Sequence, residues 1–365
     1  MTERKRILVA PLDWGLGHAA RCIPVIYELL RQDSEVILAA DGRPHDLLRK
    51  EFPGLQIIRF PGVSIRYSER SNAAMATVKQ LPSFLRGIMQ EHAMLEKIIH
   101  ELNIFAVISD SRYGAYHRSV HSVFIIHQLR ILLPSPFAWL ENIAALLNKF
   151  QIRNFDECWI PDTGSDGSLS GKLSHGISLP RQSFYLGPLS RIRPLSVPQK
   201  DFDILVILSG PEPQRTIFED LVVAQLKKTR YRAFIVRGMP ERSVRIKLTD
   251  TITAVSSLPS DELSKAIASS HLILARSGYS TIMDLSFAGA KAIFVPTPGQ
   301  TEQEYLAQHL KNKMICYSEE QKSFDIERSV TASARYSGFT AEANPAPVLT
   351  ERITALLNRQ QRGIQ

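Results

Sequence analysis

Residues 272–296 read LILARSGYSTIMDLSFAGAKAIFVP. Leu272 to Ala275 is a short, wholly apolar run of the kind that forms a buried strand. Arg276-Ser277-Gly278 interrupts it. A helical stretch from Tyr279 to Ala288 follows and stops at Gly289, the residue type that ends helices most readily. A second apolar run, Ala292 to Val295, completes the unit. Strand, tight loop, helix and strand in this order make a βαβ unit with parallel strands.

Outward from this stretch the same rhythm continues. In the second half, Ile204 to Leu208, Ala233 to Val236 and Thr251 to Val255 are further strand runs separated by helical stretches. In the first half the strands are Ile7 to Ala10, Val36 to Ala40, Leu55 to Phe60, Phe105 to Ser109 and Val123 to Ile126. Ile23, Ile26, Leu29 and Leu30 share one face of the first helix. The chain of 365 residues suits two domains of about 150 residues each. The predicted class is α/β, with two Rossmann-like, doubly wound parallel-sheet domains. The first covers residues 1–190, a proline-rich linker covers 191–202, and the second covers 203–335. Residues 336–365 form a tail with a last helix at Val348 to Arg359, expected to pack back on the first domain. Residues 72–101 carry apolar residues with interspersed charge, predicting one or two amphipathic helices longer than a crossover needs.

Composition excludes several classes. Apolar residues are 44% and charged residues 22%, which rules out wholesale disorder. The net charge of +8 attracts anions, yet the basic residues are scattered and no nucleic-acid recognition motif occurs. Cys22, Cys158 and Cys316 are far apart and odd in number, so neither a disulfide framework nor a zinc site is indicated. Reduced thiols suit the cytoplasm. The N-terminus is too short in apolar residues for a signal peptide. No apolar run approaches the ~18 residues of a membrane span, so any contact with an anionic membrane is expected to be peripheral, at the inner face.

In doubly wound sheets ligands bind beyond the strand C-termini, so the loops there carry the chemistry. The first, residues 11–21, reads PLDWGLGHAAR. Gly15 and Gly17 allow a tight turn and close approach of a ligand. The following helix N-terminus attracts anions, and His18 in its first turn has the side chain of a general base. The loop is not a GxGxxG fingerprint and has no P-loop lysine. The second loop offers Ser209 and Gly210, stiffened by two prolines that remove N–H donors. In the third, Ser277 can cap the helix while Arg276 and Gly278 leave its N-terminus open to a diphosphate, and Asp284 further along could accept both hydroxyls of a ribose. In the fourth, Thr301 and Glu304 have capping-box spacing. Glu302 and Gln303 then face the crevice with groups suited to sugar hydroxyls.

The segment 273–296, with Glu302-Gln303 and Leu306-Ala307 downstream, resembles the C-terminal signature of the family 28 glycosyltransferases, whose type member adds N-acetylglucosamine to lipid I. Gly15-x-Gly17-His18 and Ile126-His127-Gln128 resemble that family's N-terminal motifs more loosely. The resemblance implies a GT-B fold, two domains facing a cleft, and an inverting, metal-independent transfer of a hexose or N-acetylhexosamine from a UDP-sugar. It implies no cofactor, and an acceptor that is unknown and could be lipid-linked. It assigns the donor to Gly17, Ser209, Gly210, Arg276, Ser277, Gly278, Asp284, Glu302 and Gln303. His18 becomes the base, and Gly15, Arg21, Asp110, His127 and Gln128 the acceptor-side candidates. Asp201-Phe-Asp203 is a literal DxD but sits where the linker enters a strand, so no metal site is assigned to it. Gly-x-Gly-His-x-x-Arg, continued by Cys22, also looks like the loop of sugar-nucleotide hydrolases of the pseudaminic acid pathway. A hydrolase or epimerase on the same fold, or a sugar-nucleotide-binding protein without catalysis, are the alternatives.

Overall fold

The computed structural model describes residues 4–62, 73–135, 137–164, 167–195, 197, 199–341 and 346–361. The chain forms two compact units. One comprises Met1–Trp14, His18–Leu189 and Asn344–Gln365; the other comprises Gly15–Gly17 and Ser190–Ala343. The proline-rich segment after Leu189 therefore belongs to the second unit rather than standing apart.

The first unit holds β1 (Arg6–Pro11), β2 (Glu35–Ala40), β3 (Gln56–Arg59), β4 (Ala106–Asp110), β5 (His121–Ile125), β6 (Glu157–Ile160) and β7 (Ser183–Tyr185). They form one sheet in the order β3-β2-β1-β4-β5-β6-β7, and every pairing is parallel. The crossovers use α1 (Leu16–Arg31), α2 (Gly42–Glu51), α3 (Ala73–Leu102) and α4 (Glu141–Ile152). Over its described residues the amphipathic segment is thus a single helix, Ala73–Leu102. Its C-terminal half buries Leu95, Ile98 and Ile99 against Leu8, Ala10, Ile37 and Ala39. Each such buried aliphatic side chain contributes roughly 1.5–3 kcal/mol.

The second unit holds β8 (Phe202–Ile207), β9 (Ala233–Val236), β10 (Arg245–Lys247), β11 (Ile252–Val255), β12 (Ser270–Ala275), β13 (Ala292–Phe294) and β14 (Tyr317–Ser318). Their order is β10-β11-β9-β8-β12-β13-β14. All pairings are parallel except that of β10, an edge strand antiparallel to β11. Helices α5 (Gln214–Leu226), α6 (Ser260–Ala268), α7 (Tyr279–Phe287), α8 (Thr301–Asn312) and α9 (Ile326–Ser333) cover it. Phe218, Val222 and Leu226 of α5 pack on Ile204, Val206 and Leu208.

The last helix, α10 (Ala346–Leu357), lies on the first unit. Leu349, Ile353 and Leu356 are buried. Thr354 Oγ1 donates to Gln32 Oε1 at 2.9 Å, and Gln32 Nε2 donates to the Thr350 carbonyl at 3.2 Å. Just beyond the helix, Arg359 reaches buried Glu157 at 2.6 Å. Helix α10 therefore extends the core of the N-terminal sheet although it is last in the chain.

Candidate active site

In the first sheet the strand order reverses between β1 and β4, because β2 and β3 lie on one side and β5 to β7 on the other. Crossovers on either side of such a point leave opposite faces, and a crevice opens at the strand C-termini. The register there pairs Pro11 of β1 with Asp110 of β4. The chain leaves β1, turns through residues 12–15 and enters α1, so His18 arrives in the first helical turn. His18 Nδ1 lies 2.7 Å from Asp110 Oδ1. Arg21, one turn further on, grips the same carboxylate twice, Nε to Oδ2 and Nη2 to Oδ1.

The electrostatics of this group are set by burial. Asp110 is fully buried and Arg21 nearly so, whereas His18 is 22% exposed. Burial alone would push the Asp110 carboxyl up. The Arg21 charge, and then His18, outweigh it and hold the group down at about 2. An ionised Asp110 can only accept, so the proton on Nδ1 of a neutral His18 points at Asp110 and the Nε2 lone pair is free for a substrate. Cys22 Sγ donates to Asp110 Oδ2 at 3.8 Å, and burial, then the Asp110 charge, pushes that thiol well above its ordinary range. Cys22 is therefore a neutral donor, not a nucleophile.

Arg21 also ties in His127, whose Nδ1 is 2.7 Å from Nη1. His127 is itself buried, so its ring meets the guanidinium rather than open solvent. The Gln128 and Leu129 carbonyls accept from the side-chain amide of Asn148, each at 3.1 Å. Tyr113 donates to Asn148 Oδ1 at 2.7 Å. This buried amide fixes α4 to the segment after β5.

A second charged cluster lies beside the first loop, and sequence reasoning missed it. Arg112 is fully buried. It donates to the Phe60 carbonyl at 2.7 Å and lies 3.5 Å from Asp13 and 3.8 Å from Glu91. Gly62 donates its N–H to Asp13 at 3.0 Å. A Cβ on Gly62 would come within 2.6 Å of Arg112 and 2.7 Å of Asp13, so a side chain there would have to displace these charged groups. Burial raises the Glu91 carboxyl to about 6 against the pull of Arg112.

In the second sheet the order reverses between β8 and β12. The loops after these strands are Ser209-Gly210 and Arg276-Ser277-Gly278, so both expected donor loops meet at the switch point of this unit. Gly210 has φ +103°, a left-handed conformation that favours glycine, and open space where a side chain would stand. Gly278 also has open space at its missing side chain and is the N-cap of α7, without any side-chain cap. The first N–H groups of α7 are thus presented by small residues at a positive helix end. Behind the proline loop, Arg215 pairs with Glu212 at 2.5 Å and with buried Glu219 at 2.6 Å, and Arg237 closes the network on Glu219.

Four expected side-chain roles need correction. The Arg276 guanidinium does not face a diphosphate: it is fully buried. It donates to the carbonyls of Val295 (3.1 Å), Pro296 (3.0 Å) and Gln214 (3.1 Å) and to Gln321 Oε1 (2.6 Å), over the Phe218 ring. Three loops depend on it for satisfied carbonyls. Burial alone lowers its ionisation to about 9. Ser277 caps no helix; its hydroxyl donates to the Gln303 carbonyl at 2.8 Å. Asp284 is not free for a ribose. Its Oδ1 accepts from Ser190 Oγ at 2.8 Å and Arg191 N at 3.2 Å, and its Oδ2 lies 3.7 Å from Arg191 Nε. Gln303 is spent within its own loop, accepting from Thr297 N at 2.9 Å and donating to Gln300.

Glu302 stands half-buried in the first turn of α8. The capping box predicted for Thr301 and Glu304 is displaced: Gln300 is the N-cap, and Glu304 accepts from Gly299 N at 2.9 Å. Asp203 accepts from Arg232 N at 2.7 Å at the N-terminal end of its strand, far along β8 from the crevice edge. Among the described residues, no group of His, Cys, Asp and Glu is arranged to hold a metal ion.

Two doubly wound parallel-sheet units, each with its own switch point, are the elements of the GT-B architecture. Residues 215–344 match the glycosyltransferase family 28 C-terminal domain. It is similar to two enzymes named UDP-N-acetylglucosamine--N-acetylmuramyl-(pentapeptide) pyrophosphoryl-undecaprenol N-acetylglucosamine transferase. With that of Pasteurella multocida it shares 23% identity over 97% of each chain. With that of Histophilus somni it shares 24%, over 90% of this chain and 88% of that protein. Among solved structures, the glycosyltransferase SnogD from Streptomyces nogalater superposes with a TM-score of 0.64 at 12% identity, covering 97% of this chain and 99% of that one.

Proposed function

We propose that this enzyme moves a hexose or N-acetylhexosamine from a UDP-sugar to a hydroxyl of a lipid-linked acceptor, by a single inverting displacement that needs no metal. The observation that carries the reading is the His18–Asp110 pair at the β1/β4 switch point, 2.7 Å apart with Nε2 left free. His18 Nε2 takes the acceptor hydroxyl proton while the oxygen attacks the anomeric carbon. The bond from that carbon to the UDP oxygen breaks, and the electron pair leaves with UDP. A base-assisted attack from the opposite side inverts the centre. Asp110 is too deeply buried, and too fully held by Arg21, to attack the sugar itself and give retention. The leaving diphosphate would be met by the N–H groups opening α7 and by Ser209 and Gly210, with Glu302 toward the sugar. The UDP-sugar and the lipid-linked acceptor are supported by the names of the two bacterial relatives.

The lipid side has its own support. Trp139 and, on α4, Ile143, Leu146, Leu147 and Phe150 are all more than half exposed, a solvent-facing apolar stripe at helical spacing. Exposed Arg153 follows it. Such a helix suits peripheral contact with an anionic bilayer. Among the described residues no helix is long and apolar enough to cross one.

The test is UDP release from a panel of UDP-sugars, with and without polyprenyl-linked acceptors. Acceptor-dependent release is the expected result, and His18→Ala should lower kcat about 10²–10⁴-fold while leaving UDP affinity intact. Release at enzymatic rates without any acceptor would refute transfer in favour of hydrolysis.

A further inference from the structure

The base site contains a charge that a His–Asp pair alone does not need. Arg21 is 1% exposed. Its Nε and Nη2 hold both oxygens of Asp110; Nη2 also reaches Ser111 Oγ at 3.0 Å, and Nη1 reaches His127. The same Nη2 lies 3.0 Å from His18 Nδ1. With the Nδ1 proton directed at Asp110, that contact sets an N–H of a cation against an N–H of the imidazole. It opposes any further positive charge on His18. A buried carboxylate without a cation is costly, and of the groups bonded to Asp110, His18 is the one that can gain a charge.

We infer that Arg21 is a positioning residue that keeps His18 able to accept a proton, by neutralising Asp110 and so preventing a closed imidazolium–carboxylate pair. In this arrangement Asp110 steers the Nδ1 proton without drawing a second proton onto Nε2. The groups facing His18 and Asp110 are Arg21 and Cys22 from α1, Ser111 from the end of β4, and His127 from the segment after β5. Arg21 is the only permanent cation among them.

The inference rests on His18 being the base, and the experiment separates the two ideas. The titration of the His18 imidazole is followed by side-chain ¹⁵N NMR in the full-length wild type, Arg21→Met and Arg21→Lys, without substrate. Removing the guanidinium should raise the His18 midpoint by about one pH unit or more, with a smaller rise in Arg21→Lys, whose ammonium cannot hold both oxygens. In turnover assays the acidic limb of kcat/KM should move up with it. Arg21→Met would then lose about tenfold or more near neutrality and recover most of that loss about two pH units higher. If Arg21→Met does not fold, as judged by circular dichroism, Arg21→Lys carries the test alone. A His18 midpoint that stays or falls, or an activity loss that is the same at every pH, overturns the inference. Full turnover in His18→Ala would instead sink the base reading, while the NMR titration still decides what Arg21 does.

Discussion

Glu91 is the clearest place where a local charge should set the stability of the whole first unit. Its side chain is 4% exposed, with Arg112 at 3.8 Å and Asp13 across the same guanidinium. Burial, partly offset by Arg112, raises its carboxyl from 4.5 to about 6. A raised carboxyl favours the protonated form of the folded state. Stability is therefore fully present below about pH 4.5 and is lost as the pH rises through about 6. At 1.36 kcal/mol per pH unit the loss is about 2 kcal/mol once both folded and unfolded states are ionised. Glu91→Gln keeps the shape and an acceptor for the Gly114 N–H, adds a donor beside the unpartnered Oδ1 of Asp13, and removes the charge. It should be more stable than wild type by about 2 kcal/mol at pH 7.5, with the gap closing near pH 4.5. The protein's three tryptophans, Trp14, Trp139 and Trp159, all lie in the first unit. Urea unfolding followed by their fluorescence at the two pH values therefore reads that unit alone. A gap that is equal at both pH values, or a variant weaker at pH 7.5, would refute the argument.

Arg276→Ala should act as a stability mutation first. It strips four donated bonds from three loops and leaves buried carbonyls unsatisfied, at a cost of roughly 2–4 kcal/mol. Calorimetry should show a lowered melting transition, and UDP affinity should fall only as far as the donor loops loosen. Normal melting with lost UDP binding would restore the direct diphosphate role. On α4, the pair Leu146→Glu and Phe150→Glu should abolish most sedimentation with anionic vesicles and slow transfer to a lipid-linked acceptor. Turnover of a short soluble acceptor should stay unchanged; unaltered vesicle binding would rule out this face as the contact.

The parallel architecture was legible because buried strands of Val, Ile, Leu and Ala between helical periods have one sensible arrangement. The elements that escaped are those whose residues disguise them. Strand β6 begins on Glu157, a buried carboxylate satisfied by Trp159 Nε1 at 2.9 Å and by Arg359 from beyond α10. Strand β10 is three exposed residues at an edge, with no apolar run to detect. In the site, residue types at strand ends were readable but their partners were not. His18 and Asp110 are 92 positions apart and meet only through the β1–β4 register. Glu91 looks like one more charge on an amphipathic helix until Arg112 and Asp13 are seen against it.

The arginines show why side-chain roles are harder to read than loops. Arg276 and Arg215 stand where an anion-binding loop would be expected to use them, and both are bound inward: one by carbonyls, the other by Glu212 and Glu219. A guanidinium carries five donors, and a fold with several buried loop carbonyls consumes them. What remains at the β8/β12 switch point is backbone: Gly210, Gly278 and the opening turn of α7. Backbone N–H groups do not titrate, whereas an imidazole can. Any pH dependence of donor affinity should therefore be slight in the range where turnover changes, and the pH profile of the reaction should belong to the first unit.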